Sequence, residues 1–161
     1  MNANIIIENG DLSLEDIISI WKSKETINLS DVLWQNVSES RTVLEKLLSI
    51  GGNSIYGINT GFGSLCNTVI PEFELDQLQY NLVRSHACGT GNYISKESSR
   101  LVLLLKIISL SKGNSCIRSE TLKFLIKLYN EDIIPAIPEM GSLGASGDLA
   151  PLAHLSLPIL R

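Results

Sequence analysis

Histidine, cysteine and charge are all scarce in this chain. Only 19% of its 161 residues are Asp, Glu, Lys or Arg, and the formal net charge is −4. No basic field is available to hold a polyanion, so nucleic acid is not an expected partner. The three cysteines, Cys66, Cys88 and Cys116, are odd in number, widely spaced and without a Cys-x-x-Cys pair. That pattern supports neither a disulfide framework nor a zinc site, and reduced thiols are expected. The two histidines, His86 and His154, stand far apart, and no metal is expected. Long hydrophobic runs are missing too. The stretch from Leu101 to Leu110 is about half of the ~20 residues a membrane span needs, and it carries Lys106. A core helix is predicted there, and no membrane partner. The segment Asn2 to Glu8 has no cationic start and too short an apolar run for a secretory signal, so a cytoplasmic location is expected. No internal repeat, low-complexity tract or clear linker occurs.

What is present is a chain with 44% hydrophobic residues, long enough for one domain that buries roughly 70% of the surface its unfolded form exposes. Its periodicity predicts a mainly α fold with a few short strands. Ile5 to Ile7 suit a strand, and Ser13 begins a helix whose apolar residues are Leu14, Ile17, Ile18 and Trp21. Ser30 is predicted to cap a longer helix to about Ile50, with Val32, Leu33, Val37, Leu44, Leu47 and Leu48 on one stripe and Gly51-Gly52 as the stop. Ile55 to Asn67 holds three glycines and no helical period, which suits a brief strand running into a mobile loop. Pro71 opens a helix to about Cys88, with Leu75, Leu78, Leu82 and Val83 on its apolar face and Gly89 as a left-handed stop. Further helices are expected from Ser95 to near Gly113 and from Ser119 to Asn130, the latter with Leu122, Leu125, Ile126 and Tyr129 inward. Pro135 and Pro138 keep the next link extended, and a last helix runs from about Asp148 to a break near Pro158.

The segment Gly141-Ser142-Leu143-Gly144-Ala145-Ser146-Gly147-Asp148-Leu149-Ala150-Pro151 sets Ala145-Ser146-Gly147 where a glycine-rich turn meets a helix start. Gly147 has no side chain to keep its nitrogen from folding back onto the Ala145 carbonyl carbon, and Gly144 frees the chain on the other side. A five-membered ring closed in this way, after loss of water from the ring and of the Ser146 hydroxyl, carries an exocyclic methylidene. That group is an electrophile no ordinary side chain supplies. A plain serine and aspartate cap after a turn is the alternative for these residues in isolation.

Two other blocks accompany it: Tyr56-Gly57-Ile58-Asn59-Thr60-Gly61-Phe62-Gly63, and Asn81-Leu82-Val83-Arg84-Ser85-His86-Ala87-Cys88-Gly89-Thr90-Gly91. Together with Gly141, Gly144, Asp148, Leu149, Pro151, Leu152 and His154, they resemble the signature of the aromatic amino-acid ammonia-lyases and aminomutases. The resemblance covers the chain from about Leu12 onward. It implies the amino-terminal, 4-methylideneimidazole-5-one (MIO)-bearing part of the mainly helical, fumarase/aspartase-like fold. The central helical bundle and carboxyl-terminal part of the family are not included in it. The group forms autocatalytically from Ala145-Ser146-Gly147, so no external cofactor is implied.

The resemblance also assigns roles. Tyr56 is the base for the substrate β-proton. A phenol titrating near ~10 needs about 4 kcal/mol of preferential phenolate stabilisation to serve at neutral pH. Asn59, Gly61 and Gly63 shape and free its loop, and Asp148 supports ring formation besides suiting the positive end of a helix dipole. His86 selects the substrate side chain. Histidine and tyrosine lyases carry histidine there, whereas phenylalanine lyases usually carry an apolar residue. Ser-His-Ala-Cys-Gly places the chain nearer the histidine lyases, whose products are urocanate and ammonia. A tyrosine lyase and an aromatic aminomutase stay open as alternatives, as does a non-catalytic truncated piece. His154 lacks metal-ligand companions and reads as a satisfied structural histidine. The expected partners are a small aromatic amino acid and copies of the same chain, a tetramer in the full-length family. Without the central helices, the piece is expected to expose apolar surface and self-associate.

Overall fold

A computed structural model describes residues 4–8, 10–23, 25–51, 54–144 and 147–160. The elements run β1 (Asn4–Ile7), α1 (Leu14–Lys22), β2 (Thr26–Leu29), α2 (Asp31–Ile50), α3 (Leu75–His86), β3 (Thr90–Tyr93), α4 (Lys96–Ser111), α5 (Ser119–Asn130), β4 (Pro138–Met140) and α6 (Leu149–Ser156). The mainly helical expectation holds. The backbone divides into two compact units, one of residues 1–45 and 93–137, the other of residues 46–92 and 138–161.

The first unit carries most of the core. β1 and β2 pair in parallel, Asn4 opposite Thr26 through Ile7 opposite Leu29. Ile27 and Leu29 point inward at alternate positions, the period of a strand buried on one face. The Asn130 carboxamide extends β2 sideways: Oδ1 accepts the Ile27 N–H at 2.8 Å and Nδ2 donates to the Ile27 carbonyl at 2.9 Å. α1 begins in a capping box, the Ser13 hydroxyl accepting the Asp16 N–H and the Asp16 carboxylate accepting the Ser13 N–H. Its buried residue is Ile20, whereas Leu14 and Ile18 of the predicted stripe are exposed. α2 has the predicted limits and ends at Gly51 with φ +70°. Ser30 does not cap it through its side chain, since the buried Ser30 hydroxyl has no hydrogen-bond partner. The Ser30 N–H instead donates to the Ile7 carbonyl, tying the helix start to β1. Leu33, Val37 and Leu44 are buried, while Val32 and Leu47 face outward. α4 and α5 pack Leu103, Leu104 and Ile107 with Leu122, Leu125 and Tyr129 in the interior. The apolar run around Lys106 is therefore a core helix, and among the described residues no helix is long and apolar enough to cross a membrane.

Tyr129 joins three of these elements. Its ring is fully buried, its hydroxyl donates to the Ile20 carbonyl at 3.2 Å, and the Arg100 guanidinium lies 3.8 Å from its ring centroid. Burial pushes its phenol above the usual value, with Arg100 opposing. The folded ring therefore keeps its proton at a pH where the unfolded chain has lost it. This contribution to stability is intact below about pH 10 and is lost as pH rises through the higher folded value. Tyr129→Phe is expected to cost about 1 kcal/mol near neutral pH, the worth of one hydrogen bond. It should also remove part of the alkaline loss. Urea unfolding of both proteins at neutral and alkaline pH measures the two effects.

The second unit buries much less. Among the described residues its buried side chains are Thr60, Pro138, Ala150, Ala153 and Leu155, while Tyr56, Leu65, Val69, Phe73, Leu143 and Leu149 are exposed. β3 and β4, neither predicted, form a two-stranded sheet. The predicted strand after Ile55 is instead a turn followed by a single antiparallel bridge between Thr60 and Val69. α3 starts later than Pro71, after a short 3-10 turn at Glu72–Glu74. α6 ends at Ser156 and a 3-10 turn containing Pro158 follows, as the proline requires.

Candidate active site

All three motif blocks lie in the second unit. In the first block, the Ile58 and Asn59 N–H groups donate to the Ile55 carbonyl, and the Asn59 Oδ1 accepts the Ile55 N–H at 2.7 Å. Asn59 thus closes the turn on which Tyr56 sits. Beyond it the Gly61 N–H donates to the Thr68 carbonyl at 3.0 Å and the Ile70 N–H to the Asn59 carbonyl at 2.9 Å. A Cβ on Gly61 would lie 2.6 Å from Leu65 atoms, backbone included, so only glycine fits. The Tyr56 ring is 64% exposed and meets Phe62 edge-on, with centroids 5.8 Å apart. Gly63 begins the following 3-10 turn with φ +56°.

The second block closes α3. The His86 Nδ1 sits 2.8 Å from the Leu82 carbonyl, and the helix ends as the Ala87 N–H donates to the Val83 carbonyl. Gly89 is not the left-handed stop that was predicted. Positive φ falls at Gly91, +83°, and Gly89 is required for close approach instead. A Cβ there would lie 3.0 to 3.1 Å from Pro138, the His154 Nε2 and the Met140 carbonyl. The Gly89 N–H donates to the His154 Nε2 at 3.0 Å, joining the second block to α6 in the third. His154 is thereby satisfied. This link spans a separation of 65 residues, and no local periodicity signals it. Its trace in the sequence is a glycine and a histidine, each at a fixed place in its own block.

The third block packs its first glycine on the second block. Gly141 has φ +140°, and a Cβ there would lie 3.0 Å from the Gly89 Cα. Gly89→Ala should therefore force the blocks apart, at a cost of about 1–3 kcal/mol. Chemical denaturation of the variant checks it. Ala145 and Ser146 lie outside the described residues. Gly147 takes φ +89° with open space where a side chain would stand. Asp148 occupies the N-cap of α6 without a side-chain capping bond; its carboxylate instead accepts the Ser142 hydroxyl, bracing the loop from residue 142 to residue 148. The helix start offers less than an ideal dipole end. The Leu149 N–H is taken by the Gly147 carbonyl, the Leu152 N–H by the Asp148 carbonyl, and Pro151 has none.

The residues from 12 to 160 match the family model for aromatic amino acid lyases. The chain belongs to the aromatic amino acid lyase family. It is 45% identical to the histidine ammonia-lyase of Shewanella woodyi over 158 residues, which are 98% of this chain and 31% of that protein. Among solved structures it resembles the phenylalanine aminomutase of Pantoea agglomerans, with a TM-score of 0.88 and 38% identity over 95% of this chain and 29% of that one. It also resembles the histidine ammonia-lyase of Trypanosoma cruzi, with a TM-score of 0.81 and 34% identity over 98% of this chain and 30% of that one. The lyase-family chain therefore spans about three tenths of the length of these relatives. Among the described residues, no group of three or more His, Cys, Asp or Glu side chains is placed to hold a metal ion.

Proposed function

We propose that this chain is the amino-terminal, MIO-bearing part of a histidine ammonia-lyase, which eliminates ammonia from L-histidine to give urocanate. The observation that carries the reading is His86, a ring-binding candidate at the end of α3, in a chain 45% identical to a histidine ammonia-lyase along nearly its whole length. The residues present fit an MIO group: Gly147 is left-handed with open space where a side chain would stand, and the Asp148 carboxylate accepts the Ser142 hydroxyl. When formed, the group supplies an electrophilic alkene that turns the substrate amine into a leaving group. Tyr56 takes the β-proton, on a turn held by Asn59 and relieved by Gly61 and Gly63. His86 holds the imidazole of the substrate, and the buried polar atom it contributes penalises a phenyl ring.

Residues beyond this chain complete the pocket in a homotetrameric parent, and the isolated piece is inactive and self-associates through the exposed apolar side chains of the second unit. Incubation of the assembled protein with L-histidine should raise the urocanate absorbance. Product from L-tyrosine alone would overturn the substrate assignment. An aminomutase is the second reading, favoured by the likeness to a phenylalanine aminomutase. It would be recognised by a β-amino acid product.

A further inference from the structure

The hydrogen bond between Gly89 and His154 joins the chain leaving α3 to the second turn of α6. A backbone N–H only donates, so the Nε2 that receives it at 3.0 Å is the ring nitrogen with the free lone pair. In the neutral imidazole the hydrogen therefore sits on Nδ1, and a doubly protonated ring has no acceptor to offer. The joint has little slack. A Cβ on Gly89 would lie 3.0 Å from the Pro138 Cβ and 3.1 Å from the Met140 carbonyl, and one on Gly141 would lie 3.0 Å from the Gly89 Cα. α3 and α6 pack on each other, with His86 three residues before Gly89 and Gly147 two residues before the start of α6.

We propose that His154 is a positioning residue for the elimination: its Nε2 latches the end of the second block to α6, and so sets the ring-binding side of the site against the side that bears the electrophile. This rests on the reading of His86 and of the Gly147 segment given above. The reaction needs the substrate ring held by one block while its amine reaches the other, and a misplacement of about 1 Å can cost about a hundredfold in rate. A histidine that merely filled space would be replaceable by an apolar side chain. Here such a side chain leaves the Gly89 N–H without its partner and the two blocks without their tie.

Two variants of the assembled enzyme separate the acceptor from the volume: His154→Gln keeps an oxygen at the reach of Nε2, and His154→Leu has no acceptor. With L-histidine, kcat should fall roughly tenfold to a hundredfold in His154→Leu while KM changes little, and His154→Gln should regain most of it. Both variants should still weigh two waters less than their sequences, which places the loss in alignment and not in formation of the electrophile. Full kcat in His154→Leu overturns the proposal. So does a His154→Leu protein that is slow because it keeps the two waters, or a His154→Gln protein as slow as His154→Leu. Nitrogen-15 NMR of the histidine-labelled enzyme tests the latch without the apolar variant, the His154 signals being those missing from His154→Gln. A hydrogen on Nδ1 is expected, and a hydrogen on Nε2 overturns the proposal. An unaltered enzyme that sheds no water and leaves L-histidine untouched strikes the site reading itself, and the proposal with it.

Discussion

Replacing Ser146 with alanine is expected to lower turnover of L-histidine by the assembled enzyme roughly a thousandfold or more, equivalent to about 4 kcal/mol of barrier. The reasoning is chemical. An amino group is a poor leaving group, and the β-proton of an amino acid is weakly acidic, so proton removal alone does not drive elimination. The alkene made from Ala145-Ser146-Gly147 needs the serine Cβ with its hydroxyl as the departing water, and alanine has no oxygen to lose. Losing a single transition-state hydrogen-bond donor typically costs about 10²–10³-fold. Removing the electrophile deletes the step that such donors only assist. Binding should survive, because the ring contact proposed for His86 does not involve residue 146. The check is kcat against KM for the variant, with circular dichroism to show that the helices persist.

Tyr56→Phe is the second large effect. A positioned general base is worth about 10²–10⁴-fold, and phenylalanine keeps the ring while deleting the group that accepts the proton. The edge-on contact with Phe62 at 5.8 Å involves the ring alone, so the loop should keep its shape. The expected outcome is a kcat lower by about that factor with KM little changed. A variant in which KM rises and kcat is preserved would assign Tyr56 to substrate binding instead.

The legible parts of the fold are those with a long local signal. α2, α4 and α5 repeat their apolar residues over several turns, and their limits follow from that spacing together with Ser95 and Gly51 as ends. β2, β3 and β4 are three or four residues long, too short for a period to emerge. β2 pairs with β1, and Asn130, about a hundred residues later, hydrogen-bonds its other edge at Ile27, contacts that no local period announces. Ser30 shows the converse: a good capping residue type whose hydroxyl caps nothing, because its N–H is drawn to Ile7 by the β1–β2 pair. The candidate site was legible as chemistry and not as contact. The resemblance carried by the three blocks, and not residue type alone, pointed to Tyr56, His86 and Asp148. The bond from Gly89 to His154 and the packing of Gly141 on Gly89 are tertiary facts that glycine alone, read locally, presents as turn signals. Asp148 is the instructive case, since a helix-start aspartate suggests a cap, whereas its carboxylate reaches back to Ser142.

The account stands on Ala145-Ser146-Gly147 condensing into an electrophile. Intact mass spectrometry of the catalytically active protein tests this directly, beside Ser146→Ala. The mass should fall below that of the encoded sequence by two waters in the active protein and by none in the variant. An active protein weighing the full mass of its sequence would contradict it.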